Sequence, residues 1–226
     1  MTLGNQSRES GNEEAATDKS SSVTPNISLP KGGGAIRGMG DKFAANPVIG
    51  TGSVSVPLPT SPGRSGFGPQ LSLAYDSGAG NGSFGLGWSL SLPSITRKTD
   101  KGLPQYRDAE ESDVFILSGA EDLAPELLSD GRRFEDNVSV VDYTIHRYRP
   151  RIEGLFARIE RWAHADGYTH WRAITKDNIT TLYGLTADSR IFDPTDPTRI
   201  FSWLISESYD DKGNAIRYEY KAENFD

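Results

Sequence analysis

The chain has 226 residues, with 24 Lys and Arg against 31 Asp and Glu, a net charge of −7 and a mean hydropathy of −0.52. This length is sufficient for one or two domains with a hydrophobic core. The acidic balance argues against nucleic-acid binding, which needs a basic surface to displace counterions. The absence of cysteine excludes disulfides, cysteine zinc sites and a thiol nucleophile.

The N-terminal segment differs in composition from the rest of the chain. Residues 1–26 are rich in Ser, Thr, Asn and Glu and contain few aliphatic side chains, which predicts a disordered tail. Residues 1–22 lack the apolar core of a conventional signal peptide. No apolar run approaches the roughly 20 residues that a membrane-spanning helix needs. We therefore expect neither a cleavable signal peptide nor a membrane span.

Glycine is concentrated in residues 31–90, which hold 15 of the 24 glycines. From 43 to 90 the only charged residues are Arg64 and Asp76. Apolar side chains alternate with small ones in three runs, which are 54–58, 71–75 and 86–92. A period of two places the apolar residues on one face of a strand, and the Asn81-Gly82 pair predicts a turn between the last two strands.

The C-terminal half also favours strands, because β-branched and aromatic residues recur between turn signals. Helix candidates are limited to 41–45 and to 121–128, where Pro125 interrupts the pattern. The predicted class is all-β, with antiparallel hairpins forming part of a larger β-shell or sandwich. The predicted domain covers 27–226, divided into Gly-rich strands (27–95), charged and aromatic strands (96–199) and a C-terminal hairpin region (200–226). The predicted strands of its second half are 114–117, 138–149, 155–162, 168–175, 179–183, 200–209 and 215–220.

A glycine pattern in the first half has the spacing of a dinucleotide-binding loop, Gly80-x-Gly82-x-x-Gly85. That site requires a helix directly after the glycines, whose N-terminus holds the pyrophosphate. The following residues, 86–92, alternate as a strand instead. We therefore interpret these glycines as turn and packing residues and expect no cofactor.

The three histidines are candidate metal ligands. His164 and His170 flank a predicted hairpin turn and could approach Asp166, but the sequence supplies no further partner at ligand spacing, and His146 stands apart. Surface or cross-strand histidines are the preferred interpretation. We expect no metal site.

An acidic segment occupies residues 108–136, with ten carboxylates against Arg132 and Arg133. A pair such as Glu110 and Glu111 could serve a glycosidase or bind calcium. The segment lacks the alternating Asp pattern and glycine of a calcium-binding loop. We interpret it as an exposed loop of solvated turns.

Two long motifs carry a specific resemblance. The first is Ile-Ser-Leu-Pro-Lys-Gly-Gly-Gly-Ala-Ile-Arg-Gly-Met-Gly at 27–40; the second runs from Ser-Pro-Gly-Arg at 61–64 to Phe-Gly-Leu-Gly-Trp at 84–88. Together they resemble the SpvB-like N-terminal domain of the plasmid-virulence B protein family, which also opens the B component of bacterial insecticidal toxin complexes. Residues 209–220 resemble a YD-type, RHS-like repeat unit.

This resemblance implies a module of a large β-shell that encloses a toxic effector, with A- and C-type toxin components as partners. It implies secretion with the toxin complex, after synthesis in the cytoplasm. In the namesake virulence protein an ADP-ribosyltransferase domain lies much further along, and no Glu-x-Glu motif occurs in this sequence. We therefore expect a non-enzymatic scaffold that lacks catalytic, cofactor and metal residues. The structural residues of this module would be Gly78, Gly80, Asn81, Gly82, Phe84, Gly85, Gly87 and Trp88, with Phe84 and Trp88 as buried anchors.

A second interpretation is a free-standing β-sandwich that binds carbohydrate or a cell-surface receptor. Its candidate residues are Trp162, Trp171 and Trp203, provided that their rings are exposed. The hairpin at 209–220 ends near the last residue and would leave a strand edge open, which predicts self-association through that edge.

Overall fold

The computed structural model describes residues 42–46 and 50–221, except 62, 83, 119–120 and 152–156. The predicted tail (1–26) and the first motif (27–40) lie outside these residues. In the described part, helical structure is confined to three short 3₁₀ segments, Arg64–Gly66, Asp108–Glu110 and Ala187–Ser189. The antiparallel all-β class is confirmed.

A four-stranded antiparallel sheet forms the first structural unit, in the order β1-β2-β3-β6. Its strands are β1 (Lys42–Asn46), β2 (Thr51–Leu58), β3 (Leu71–Asp76) and β6 (Trp88–Leu90). Between β3 and β6 the chain makes a small hairpin of β4 (Asn81–Gly82) and β5 (Gly85–Leu86). The alternation at 54–58 and 71–75 predicted β2 and β3 closely, whereas the predicted helical turn at 41–45 is wrong because β1 occupies it.

The second unit is a closed ring of eight antiparallel strands. The ring closes because β9 pairs with both β8 and β11. The predicted helix at 121–128 is therefore wrong, since its first half is β9. The ring strands are β7 (Ser94–Arg97), β8 (Phe115–Leu117), β9 (Glu121–Pro125), β11 (Tyr143–Pro150), β12 (Arg158–His164), β13 (Thr169–Ile174), β14 (Thr180–Tyr183) and β16 (Asp196–Tyr209).

Three shorter strands extend this barrel. β10 (Glu135–Asp136) pairs with β11, while β15 (Arg190–Asp193) and β17 (Ala215–Arg217) pair with β16. The 14-residue β16 is the organising strand, because it also pairs with β14 and β7.

Aromatic side chains fill the barrel. Trp171 and Trp203 have no exposed surface, and their ring centroids lie 5.8 Å apart in an edge-to-face arrangement. Phe115 packs edge-on against both, at 4.9 and 5.7 Å. The indole N–H of Trp203 donates a hydrogen bond to the carbonyl oxygen of Thr169 at 2.9 Å, which satisfies the one polar group of that ring. The interior is a packed core.

None of the described residues belongs to a helix long and apolar enough to cross a membrane.

Candidate functional site

The glycine-rich motif predicted as structural lies around the β4–β5 hairpin and the start of β6. Trp88 packs on Tyr75 of β3, with ring centroids 5.2 Å apart, and is half-buried. The predicted anchor Phe84 is 53% exposed, so its assignment as a buried anchor is wrong for this chain. The hairpin or its flanks contain the remaining motif residues, Gly78, Gly80, Asn81, Gly82, Gly85 and Gly87.

Gly87 is the motif glycine with the clearest structural requirement. Its φ of +78° lies in the left-handed region, and a Cβ there would lie 2.6 Å from Tyr75 Cε2 and 2.8 Å from the carbonyl oxygen of Asp76. Gly82 brings the hairpin against the edge of β6, since a Cβ there would lie 2.9 Å from the carbonyl oxygen of Trp88. The hairpin therefore covers part of the β6 edge, one way in which proteins avoid an open strand edge.

Beside this hairpin a groove of about 560 Å³ separates the small sheet from the barrel. Leu86 of β5 is 71% exposed. Exposed apolar side chains next to an apolar groove are typical of a surface that contacts another molecule. The main apolar lining residues are Phe84, Trp88, Leu90, Leu92, Leu204 and Tyr220.

A cluster of buried charges lies at one end of the barrel. The Arg97 side chain is 1% exposed, and its Nη1 and Nη2 donate to the two carboxylate oxygens of Asp108 at 2.5 and 3.0 Å. Nη1 also donates to Asp113 at 2.9 Å, and Nε donates to the carbonyl oxygen of Ile200 at 2.7 Å. Arg161, 4% exposed in its side chain, pairs with Asp108 Oδ2 at 2.8 Å. Two buried guanidinium groups thus share one carboxylate, as buried charges require partners.

Asp113, the second carboxylate of this cluster, also fixes the conformation of the nearby backbone. Asp113 accepts hydrogen bonds from the backbone N–H groups of Gln105 and Tyr106, both at 2.8 Å. Tyr148, on the barrel wall, donates its hydroxyl to Glu111 at 3.2 Å, and Arg133 forms an ion pair with the same carboxylate. The cluster is therefore neutral, with three guanidinium groups facing three carboxylates.

The electrostatics of the cluster favour its charged form. Burial alone would raise the pKa of Asp108, but the hydrogen bond from Arg97 and the charges of Arg161 and Arg97 outweigh it and hold this pKa below its usual value. Burial, together with the charges of Arg161 and Arg133, lowers the pKa of the nearby His146 to about 4. At neutral pH the carboxylate is ionised and the imidazole is neutral.

This cluster corrects the interpretation of residues 108–136 as an exposed loop. The segment contains β8, β9 and β10, and the side chain of Asp113 is only 5% exposed. A sequence signal was present, because Arg97 occupies an inward position of the alternating run Ser94–Arg97. A charge at a core position demands a partner, and the acidic segment follows it directly.

The histidines do not form a metal site in the described part of the chain, where no group of three or more His, Asp and Glu side chains converges. His164 and Asp166 do meet, with Nδ1 3.3 Å from the carboxylate, as the hairpin suggested. His146 and His170 are 5% and 7% exposed, so they are cross-strand and not surface histidines; His146 lies opposite Arg161 of β12. His170 lies opposite Trp162 of β12, in agreement with the expectation of surface or cross-strand positions.

The tryptophans proposed for carbohydrate binding do not form an exposed face. Trp171 and Trp203 lie in the barrel core with no exposed surface. Trp162 lies on the outer wall, where Arg172 covers its ring at 4.6 Å. The interpretation that these three tryptophans form a carbohydrate-binding or receptor-binding face is therefore wrong.

Comparison with known proteins gives the chain its family. The family described as "Salmonella virulence plasmid 65kDa B protein" matches residues 46–226. The chain belongs to the SpvB family. Mono(ADP-ribosyl)transferase SpvB from Salmonella choleraesuis and its counterpart from Salmonella typhimurium are each 38% identical to it over 210 residues, or 90% of the chain. The chain spans about a third (34%) of the length of these relatives.

Solved structures agree with this family assignment. The crystal structure of TcdB2-TccC3 is similar to 88% of this chain, with 34% identity and a TM-score of 0.70, and the match covers 10% of the TcdB2-TccC3 chain. The N-terminal domain of the effector protein SpvB from Salmonella typhimurium aligns with 75% of the chain and 54% of its own, with 38% identity and a TM-score of 0.65. A Photorhabdus luminescens Tc holotoxin pore structure is also similar, covering 88% of the chain and 9% of its own, with 33% identity and a TM-score of 0.70.

These findings correct the expectation of a non-enzymatic scaffold. The relatives that match 90% of this SpvB-family chain are named as mono(ADP-ribosyl)transferases, which are enzymes. The expectation that the protein is not an enzyme is therefore contradicted. The alternative of a free-standing carbohydrate-binding or receptor-binding sandwich is contradicted by the same match.

Proposed function

We propose that this chain is the SpvB domain of a bacterial virulence protein of the mono(ADP-ribosyl)transferase and toxin-complex group. The observation that carries the proposal is its 38% identity, over 90% of its length, to mono(ADP-ribosyl)transferase SpvB. We infer that the protein to which it belongs transfers ADP-ribose from NAD⁺ to a protein of the target cell. The domain begins at residue 27 in this proposal, as the first motif indicates.

We also propose that the domain associates with A- and C-type toxin components and is secreted with them. The likeness to TcdB2-TccC3 and to a Tc holotoxin pore supports this part. The hairpin of β16 and β17 is, in this proposal, the first YD-type unit. Asp210 is its organising residue, because one carboxylate oxygen accepts the backbone N–H groups of Lys212 and Asn214, both at 2.9 Å.

The enzymatic part is tested on the full product of the natural gene. The protein is incubated with labelled NAD⁺ and a eukaryotic cell lysate, and Salmonella typhimurium SpvB serves as the positive control. We expect a labelled lysate protein. Labelling by SpvB, with none by the gene product at equal concentration, would overturn the proposal of ADP-ribose transfer.

The association part is tested by co-purification with the toxin components encoded in the same genome. We expect the partner contact to include Leu86, which is 71% exposed on the β4–β5 hairpin. Leu86→Ser should weaken co-purification, whereas the matched variant Val138→Ser, at an 87% exposed position between β10 and β11, should not. Equal recovery of both variants, or no recovery of the unaltered chain, would contradict this assignment.

A further inference from the structure

The connection between β7 and β8, residues 98–114, crosses the charged end of the barrel, and we call it the strap. None of its apolar residues is buried, and Leu103, one of its few large apolar side chains, is 89% exposed. The barrel strands, in contrast, are held by a core that includes Trp171 and Trp203 with no exposed surface. Segments with few buried apolar contacts open at a lower free energy than the core to which they are attached.

Polar contacts are what fix the strap to the barrel. Asp108 and Asp113 bind Arg97, Asp108 also pairs with Arg161, and Glu111 accepts the hydroxyl of Tyr148. Each of these contacts joins a strap carboxylate to a side chain on a barrel strand. Their strength depends on ionised carboxylates excluded from water, so they are lost together when the strap leaves the barrel end.

The backbone of the strap is also strained. Tyr106 and Glu111 have φ values of +57° and +51°, in the left-handed region that side chains other than glycine rarely adopt. Such residues persist only where the surrounding contacts over-determine them. The contacts that hold Tyr106 are the hydrogen bond of its N–H to Asp113 and the guanidinium of Arg97, 4.8 Å from its ring centroid. The same ion cluster therefore maintains both the position and the strained conformation of the strap.

From these contacts we propose that the strap is a lid, which opens as a local unit while the barrel stays folded. Opening relieves the two strained residues and uncovers Arg97 and Arg161 at the barrel end. Asp108 is the latch, because it is the one strap carboxylate that contacts both guanidinium groups. The eight strands of the ring and their pairings do not change in the open state.

The test is native-state hydrogen exchange of the whole chain at low denaturant concentrations. The strap amides of Gln105 and Tyr106 should exchange faster than barrel amides such as those of Ile159 and Trp203, and with a weaker dependence on denaturant. Coincident opening free energies and denaturant slopes for strap and barrel would overturn the proposal, because they indicate opening only by global unfolding.

Two variants identify the latch. Asp108→Asn should speed exchange of the strap amides by about tenfold or more, since it removes a charge-assisted contact. The exchange rates of the barrel amides relative to one another should stay unchanged. Glu110→Gln is the matched control, because Glu110 lies in the same turn, is 65% exposed in its side chain and pairs only with the exposed Arg107 among the described residues. Equal effects of the two variants would overturn the role of Asp108. If Asp108→Asn does not fold, the unaltered chain alone still decides whether the strap opens locally.

Discussion

Gly184 leaves the space that the indole ring of Trp203 fills: a Cβ at Gly184 would overlap Cδ1 of that ring. The glycine follows β14 with a φ of +67°, and its N–H donates to the carbonyl oxygen of Leu204 on β16 at 2.8 Å. The largest core side chain of β16 is thus accommodated by the absence of a side chain directly after the neighbouring strand β14.

Gly184→Ala should destabilise the fold by about 2–4 kcal/mol, because it adds a steric clash in a rigid core to an unfavourable backbone conformation. Urea unfolding followed by tryptophan fluorescence measures the change. Gly213→Ala is the matched control, since its φ is +83° but nothing lies within 4 Å of the added Cβ. It should cost about 1 kcal/mol. Equal losses in the two variants would show that the contact with Trp203 contributes nothing.

The motif glycines should also differ in how well they tolerate replacement by alanine. Gly87→Ala should weaken the four-stranded sheet, because its Cβ would meet both the ring of Tyr75 and the carbonyl oxygen of Asp76. Gly80→Ala should be close to neutral, since nothing lies within 4 Å of that position. Hydrogen exchange of the β3 amides distinguishes the two. A tolerated Gly87→Ala would remove the structural reason for this part of the motif.

Removing Trp171 should cost far more stability than removing Trp162. Trp171 is fully buried, so Trp171→Ala leaves a large cavity and should cost about 3–5 kcal/mol. Trp162→Ala removes a half-buried ring that contacts Arg172, Tyr143 and His170, together with its hydrogen bond to Glu160, and should cost about 2 kcal/mol, less than Trp171→Ala. Chemical denaturation of both variants is the measurement, and a reversed order would contradict the core described above.

Stability should fall as the pH drops from about 6.5 towards 4. Burial, reinforced by neighbouring arginines, lowers the pKa of both His146 and His170 from 6.5 to about 4. In this window the unfolded chain binds protons that the folded chain excludes, so each histidine removes roughly 1 kcal/mol per pH unit. Above about pH 7.5 these two residues should contribute almost nothing to the pH dependence of stability, because they are then neutral in both the folded and the unfolded chain.

The pH dependence is measured by urea unfolding between pH 4.5 and 8, together with NMR titration of the imidazole protons. A double variant, His146→Gln with His170→Gln, should have a flatter profile. An imidazole of either residue that titrates near 6.5 in the folded protein would contradict the assignment. Protonation of Asp108 acts in the same direction only at lower pH, because its pKa is lowered.

Alternation of apolar and small residues, together with turn signals, predicted several strands and one hairpin. The run at 71–75 matches β3, and the turn at 165–167 joins β12 to β13, with Gly167 at a φ of +91°. These features depend on neighbours in the chain. The predicted helix at 121–128 failed because β9 is determined by distant partners, among them Arg149 and Pro150 of β11.

The sequence indicates only that Arg97 needs a buried partner, and it does not identify the members of the charged cluster, for a related reason. Arg97 takes its counterions 11 and 16 residues away in sequence, and Arg161 reaches the same carboxylate from another strand. Net charge and local composition describe only how many carboxylates a segment contains. Which of them become buried depends on the closure of the barrel, and no local pattern encodes that closure.

The pairing of β7 with β16 also constrains how the chain folds during synthesis. Ser94 pairs with Leu204, and Thr96 pairs with Ser202. One edge of β7 therefore stays unpaired until β16 is synthesised, more than a hundred residues later. At about 5–20 residues per second, this delay is roughly 5–20 s. Until β16 leaves the ribosome the barrel is an open sheet with Ile95 exposed, and during this interval the nascent chain should be most sensitive to aggregation and most dependent on chaperones.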